Sequence, residues 1–189
     1  MGRNTPRHRP TLACAPPAGS LEVKPHALSR DEFVARFGAV FEHSKWIAER
    51  VFDRGLTREN ETAEGLHAAF VAVLRAASPE VKLALVRAHP DLAGRLARAA
   101  QLTSDSTEEQ AAAGLDRVTE AEFTRFAELN EAYREKFGFP FVMAVKNRRK
   151  AEILAAFEER LRHDPQTELA TALAEIETIA FLRLTSLLP

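Results

Sequence analysis

The chain has one cysteine, Cys14, among 189 residues, and no uninterrupted apolar run of membrane-spanning length. One thiol builds neither an internal disulfide framework nor a cysteine-based zinc site. Cys14 lies in a Pro/Ala-rich stretch with no scaffold to hold a base beside it, as a nucleophile requires. A bilayer span needs roughly 20 consecutive apolar residues, so no membrane association is expected. An excess of one charge is also missing, because 26 Lys and Arg face 27 Asp and Glu for a formal net charge of −1. A nucleic-acid footprint needs a basic face or stripe. The one local run, Lys146-Asn147-Arg148-Arg149-Lys150, lacks interleaved aromatics and reads as the solvated start of a helix. Arg3, Arg7 and Arg9 precede no apolar segment of the signal-peptide kind. Leu187-Leu188-Pro189 is not the peroxisomal Ser-Lys-Leu address. The expected setting is the cytoplasm, with no nucleic-acid partner.

Hydrophobic residues at 46% and charged residues at 28% fit an ordinary globular domain. Residues 1–27 hold five of the ten prolines and read as a disordered or loosely docked tail, leaving 28–189 as one domain. From Ser29 the pattern is helical almost without a break. Ser29 with Asp31 and Glu32 is an N-cap signal, and Phe33, Phe37, Val40 and Phe41 share a face. Ser44 is placed to cap a second helix carrying Trp46, Ile47 and Val51, with Gly55 as its stop. A third helix spans about 62–77. Ser78-Pro79-Glu80 starts a fourth, which ends at His89 because Pro90 disfavours helical geometry in the residue before it.

A short helix near 91–100 follows, and Ser106-x-x-Glu109 and Thr119-x-x-Glu122 read as capping boxes for helices near 107–113 and 120–136. Gly138-Phe139-Pro140-Phe141-Val142-Met143-Ala144-Val145 is the one non-helical apolar run, too isolated for a sheet and read as a buried extended connector. Asn147 is placed to cap helix 148–162, and Asp164-Pro165 with Glu168 opens a last helix to about Leu187. The expected class is all-α: one compact, bundle-like domain of eight or nine helices.

Few groups in this pattern are placed for chemistry. His89 sits at a helix C-terminus, where the macrodipole favours the imidazolium, and histidine is the common acid–base group at neutral pH. A buried or capping role fits the same position. No His-x-x-x-His spacing is present among the histidines, so a metal site is not expected. Arg183 falls seven residues after Ile176 on the apolar face of the last helix. A guanidinium there needs a carboxylate, from the protein or from a ligand. A buried ion pair and an anion-binding cleft, where arginine forks onto a carboxylate, both stay open. Ser106 and Glu109 are explained by capping alone.

Taken together, the ordered segments resemble the 2-oxo-4-hydroxy-4-carboxy-5-ureidoimidazoline (OHCU) decarboxylase family. They are Phe41-Glu42-His43-Ser44-Lys45-Trp46-Ile47-Ala48, His89-Pro90-Asp91-Leu92-Ala93-Gly94 and Ser106-Thr107-Glu108-Glu109-Gln110, then Ala113-Gly114-Leu115-Asp116 and Leu129-Asn130-x-x-Tyr133. Lys136-Phe137-Gly138-Phe139-Pro140-Phe141, Lys150 with Ile153-Leu154, and Ile179-Ala180-x-x-Arg183-Leu184 complete the set. Lys45 departs from the pattern, standing where the family often has proline at a helix start.

The resemblance implies an all-helical fold, usually a homodimer, with neither metal nor organic cofactor. It implies His89, Glu109 and Arg183 as catalytic residues, with Ser106 and Gln110 as substrate contacts. Pro90, Phe139, Phe141 and Val142 would line the pocket, partly through backbone groups. It also implies OHCU as substrate, (S)-allantoin as product, a place in urate degradation, and a functional association with hydroxyisourate hydrolase. Two alternatives remain on the sequence: a non-catalytic helical binding module for a purine-derived ligand, and a same-fold enzyme acting on a related ureido or imidazoline carboxylate.

Overall fold

Helix starts are set by side chains that satisfy the free N–H groups of the first turn. The computed structural model describes residues 23–92 and 119–188. Within them, Ser29 and Glu32 form a capping box at the head of α1 (Arg30–Phe37). Thr62 caps α3 (Ala63–Arg75), and Ser78, followed by Pro79, caps α4 (Pro79–Ala88). Thr119 and Glu122 form the box that opens α5 (Glu120–Phe137). The Asp164 side chain accepts from the backbone N–H groups of Gln166 and Thr167 at the start of α7 (Pro165–Leu187).

The remaining two α-helices begin differently from expectation. α2 (Trp46–Asp53) has Lys45 at its N-cap with no side-chain cap bond. Ser44 is buried one residue earlier, and its carbonyl accepts from the Ile47 N–H at 3.0 Å. α6 (Lys150–Arg160) is preceded by Arg149 at the cap. Asn147 lies in the left-handed region at φ 63° and turns the chain before the helix rather than capping it. Short 3-10 helices occupy Pro25–Ala27 and Arg58–Glu61. The seven α-helices match seven of those expected, and the described residues include no strand. The helices expected near 91–100 and 107–113 lie outside the described residues, apart from Asp91 and Leu92.

α3 and α4 pack on α7, α1 on α2, α2 on α3, and α5 on α6. Long α7 supplies the spine through a fourfold spacing: Glu168, Ala172, Ile176, Ala180 and Leu184 are all buried. One contiguous core takes residues from every α-helix and from the connector, including Phe33, Ile47, Leu66, Leu85, Phe126, Phe141, Ile153 and Ile176. The fold is therefore all-α around a single core.

The connector leaves α5 through Gly138, whose φ of 72° ends the helix in the left-handed region. Its apolar run is buried from Phe139 to Val142 with no regular structure, as its sequence predicts. Phe141 stacks on Phe157 of α6 with ring centroids 3.6 Å apart.

Candidate active site

His89 is the first residue after α4, in extended geometry with ψ 135°. Pro90 explains that geometry, since its ring disfavours helical backbone before it. The His89 N–H still donates to the Val86 carbonyl at 3.2 Å, and the residue is buried. The chain then clamps onto α5, where the Asp91 carboxylate accepts from Asn130 Nδ2 at 3.1 Å and from Arg134 Nη2 at 2.9 Å. On the other side of His89, Arg87 Nε donates to the Gly138 carbonyl at 3.2 Å. The imidazole is thus carried on a backbone fixed two residues before and two residues after it. That is the rigid mounting a reactive group needs.

A cavity of about 380 Å³ opens beside this mount, lined by Arg87, Arg134, Gly138, Phe139 and Pro140. Phe139 contributes to its wall, whereas the side chains of Phe141 and Val142 turn into the core. Pro90 is half-buried. Ser106, Glu109 and Gln110 lie outside the described residues.

Arg183 is held by a separate junction. Its Nη1 donates to the Val40 carbonyl at 2.9 Å, and its Nη2 pairs with the Glu42 carboxylate. Both partners lie between α1 and α2. The Arg183 side chain stays 27% exposed and lines a second cavity of about 380 Å³ with Arg36, Ala39, Val40, Ser186 and Leu187. The two readings of this arginine therefore combine, because it has a protein carboxylate and still faces open space. An incoming anion would meet a guanidinium already oriented by two acceptors.

A third set of polar groups was missed by sequence reasoning. Glu168 is fully buried, and Arg160 is 5% exposed. Arg160 Nε donates to Glu168 Oε1 at 2.8 Å, and Arg160 Nη1 donates to the Val142 carbonyl at 2.7 Å. The Tyr133 hydroxyl donates to Glu168 Oε1, while His163 Nδ1 lies 2.7 Å from Glu168 Oε2. Burial and the Glu168 hydrogen bond push the Tyr133 hydroxyl above its ordinary range. Removing one partner of a buried ion pair costs about 3–5 kcal/mol, since the other charge is stranded. Its signal was available: Glu168 stands four residues before Ala172 and in line with the buried stripe of α7. Its place after Asp164-Pro165 also fits the helix-opening pattern, a role that Asp164 fills alone.

Three other described histidines serve structure, and His26 Nδ1 lies 3.0 Å from Glu61 Oε1. His67 Nε2 lies 2.9 Å from the Glu177 carbonyl, and His163 joins the Glu168 cluster. Among the described residues, no group of three or more His, Cys, Asp or Glu is arranged to hold a metal ion. Among them, too, no helix is long and apolar enough to cross a membrane. The basic run before α6 is exposed through Arg149, and Lys150 is taken up by Glu122 at 2.9 Å.

The family model for OHCU decarboxylase matches residues 26–185. The 2-oxo-4-hydroxy-4-carboxy-5-ureidoimidazoline decarboxylase of Haloferax volcanii is 45% identical over 157 residues, 83% of this chain and 89% of the relative. The protein of the same name from Mus musculus is 38% identical over 166 residues, 88% and 92% of the two chains. Among solved structures, an (S)-allantoin synthase superposes with TM-score 0.69 at 34% identity. That match covers 87% of this chain and 52% of the solved one, so this chain spans about half of that protein's length. A second structure, of OHCU decarboxylase in the presence of (S)-allantoin, shares the fold with TM-score 0.61 at 22% identity over 85% of this chain and 99% of its own. With a family match across most of its length and relatives aligned nearly end to end, this chain belongs to the OHCU decarboxylase family.

Proposed function

We propose that this protein is a carboxy-lyase that decarboxylates OHCU to (S)-allantoin in urate degradation, without metal or organic cofactor. The observation that carries the reading is 45% identity to a relative named for that reaction, aligned over 89% of the relative's length. The substrate's own chemistry explains how the reaction proceeds. Its C4 bears the carboxylate and a hydroxyl, and C5 is an imine carbon. When the C4–carboxylate bond breaks and CO2 leaves, the electron pair forms a C4–C5 double bond and the imine pair moves onto nitrogen, which takes up a proton. Loss of the hydroxyl proton then makes the C4 carbonyl as C5 takes up a proton. The substrate is its own electron sink, and the protein supplies orientation, charge and stereospecific proton delivery.

In this reading His89 hydrogen-bonds the C4 hydroxyl or carboxylate and acts as the acid–base group. Arg183, pre-oriented by Val40 and Glu42, holds an anionic or carbonyl oxygen. Glu109 orients the ureido or ring N–H groups, with Ser106 and Gln110 as further hydrogen-bonding contacts. Pro90 and Phe139 line the pocket, and Phe141 and Val142 reach it through backbone groups alone. The homodimer, the cytoplasmic setting and the association with hydroxyisourate hydrolase are part of the same proposal and rest on the family resemblance.

The test supplies freshly generated OHCU and follows product chirality by circular dichroism. Accelerated appearance of (S)-allantoin is expected; a rate equal to spontaneous decay would reject the assignment.

A further inference from the structure

A chain segment outside helix or sheet must find partners for its backbone groups elsewhere, because an unpaired buried carbonyl is costly. The connector after α5 is such a segment, and side chains of α4, α6 and α7 supply what its backbone lacks. Arg87 of α4 holds the Gly138 carbonyl, Arg160 of α6 holds the Val142 carbonyl, and Glu175 of α7 accepts from the Ala144 N–H at 2.9 Å. Phe139 and Pro140, which line the cavity beside the His89 mount, lie between the first two of these points.

Arg160 is the innermost of the three. Its guanidinium carbon sits 4.4 Å from the centroid of the Phe141 ring, so it contacts both side chain and carbonyl of successive connector residues. Glu168 takes Arg160 Nε and Nη2 on one carboxylate oxygen, and Tyr133 and His163 complete the ring of contacts around that carboxylate. A planar guanidinium with two nitrogens fixed has little freedom left for the third, so Nη1 presents a donor at a set place and angle. Lysine carries the same charge but cannot reproduce that fork.

We propose that Arg160, oriented by Glu168, is a positioning residue for the decarboxylation: it sets the connector so that Phe139 and Pro140 stand at the right distance from His89 to shape the substrate cavity. The inference rests on the decarboxylase reading above. It extends that reading to two buried charges that neither line the cavity nor reach the substrate. Their effect is transmitted through the Val142 carbonyl.

Wild-type turnover of OHCU is measured first, so that failure of the activity itself is seen separately. Arg160→Lys and Arg160→Met are then compared with Lys136→Met. Lys136 donates to the Leu161 and His163 carbonyls at 2.6 and 2.9 Å, tying the same α6–α7 corner without touching the connector. The expected result is a folded Arg160→Lys protein with KM for OHCU raised at least about fivefold, while Lys136→Met keeps wild-type KM. A loss of folded fraction lowers apparent kcat and leaves KM alone, so KM separates positioning from stability. Wild-type KM in folded Arg160→Lys, or loss of the folded state in both Arg160 variants, would overturn the proposal and leave the cluster a stability element.

Discussion

Arg183, near the end of α7, is ion-paired to Glu42 in the link between α1 and α2, 141 residues earlier in the chain. Together with the Val40 carbonyl, that carboxylate fixes the direction of a guanidinium that still lines open space. Under the proposed function, the pair would make the arginine ready for a substrate oxygen before one arrives and so lower the ordering cost of binding.

Replacing Arg183 with lysine keeps the charge but removes the fork. Misplacing a catalytic contact by about 1 Å costs on the order of 100-fold, and kcat/KM of Arg183→Lys is expected to fall by about that factor. Glu42→Gln retains an acceptor of the same shape and is expected to lose less, roughly tenfold, as a neutral acceptor holds a guanidinium less strongly than a carboxylate does. Steady-state kinetics on folded variants checks both. Equal losses in the two would mean that Glu42 itself contacts substrate.

His89 carries a second prediction. General acid–base catalysis is worth roughly 100- to 10,000-fold, so His89→Asn should lose kcat within that range while keeping its helical signal. Because His89 lies beyond the last turn of α4 in extended geometry, asparagine is tolerated there by the backbone. A folded His89→Asn protein with full decarboxylation rate would remove the histidine from the mechanism.

Most of the fold was legible because helix boundaries here are written locally. Ser29, Ser78, Thr119 and Asp164 each cap the helix their sequence announces. Ser44 and Asn147 show the limit of that reasoning, since tertiary packing buries the first and a left-handed turn uses the second. For the site, Arg183 announced its need for a partner by standing on an apolar face. The identity of that partner was not legible, because Glu42 meets it only once α7 lies against the α1–α2 link. Glu168 and Arg160 are eight residues apart across the link between α6 and α7, and nothing in their spacing tells that together they fix a carbonyl of the connector.

The head of α5 should be acid-sensitive. Hydrogen bonds from Lys150 and from Thr119 hold the Glu122 carboxyl down to about 2, against an ordinary value of 4.5. A depressed folded-state value contributes stability above the unfolded value and loses it as pH falls through the folded one. The contribution of Glu122 is therefore complete above pH 4.5 and disappears progressively toward pH 2. Denaturant midpoints of the wild type and Glu122→Gln should differ by a constant amount near neutrality and converge across that window. A difference independent of pH would assign the effect to cap shape rather than charge.

Tyr133 provides the alkaline counterpart, and its ionisation can be read without interference because it is the only tyrosine in the chain. Burial first, and then the hydrogen bond to Glu168, raise its hydroxyl well above the ordinary 10.0. A tyrosine whose folded-state value is raised contributes stability that is full below pH 10.0 and is lost as pH climbs toward the folded value. Deprotonation would also place a second negative charge against buried Glu168, leaving Arg160 to serve two anions. On titration, tyrosinate absorbance should stay absent through pH 10.0 and rise only as the helical circular dichroism falls. Tyr133→Phe, which cannot ionise, should hold its helical signal to higher pH than the wild type. Tyrosinate appearing at its ordinary pH in a fully helical protein would show that the ring around Glu168 opens without unfolding, and would remove the rigidity on which the placing of the connector depends.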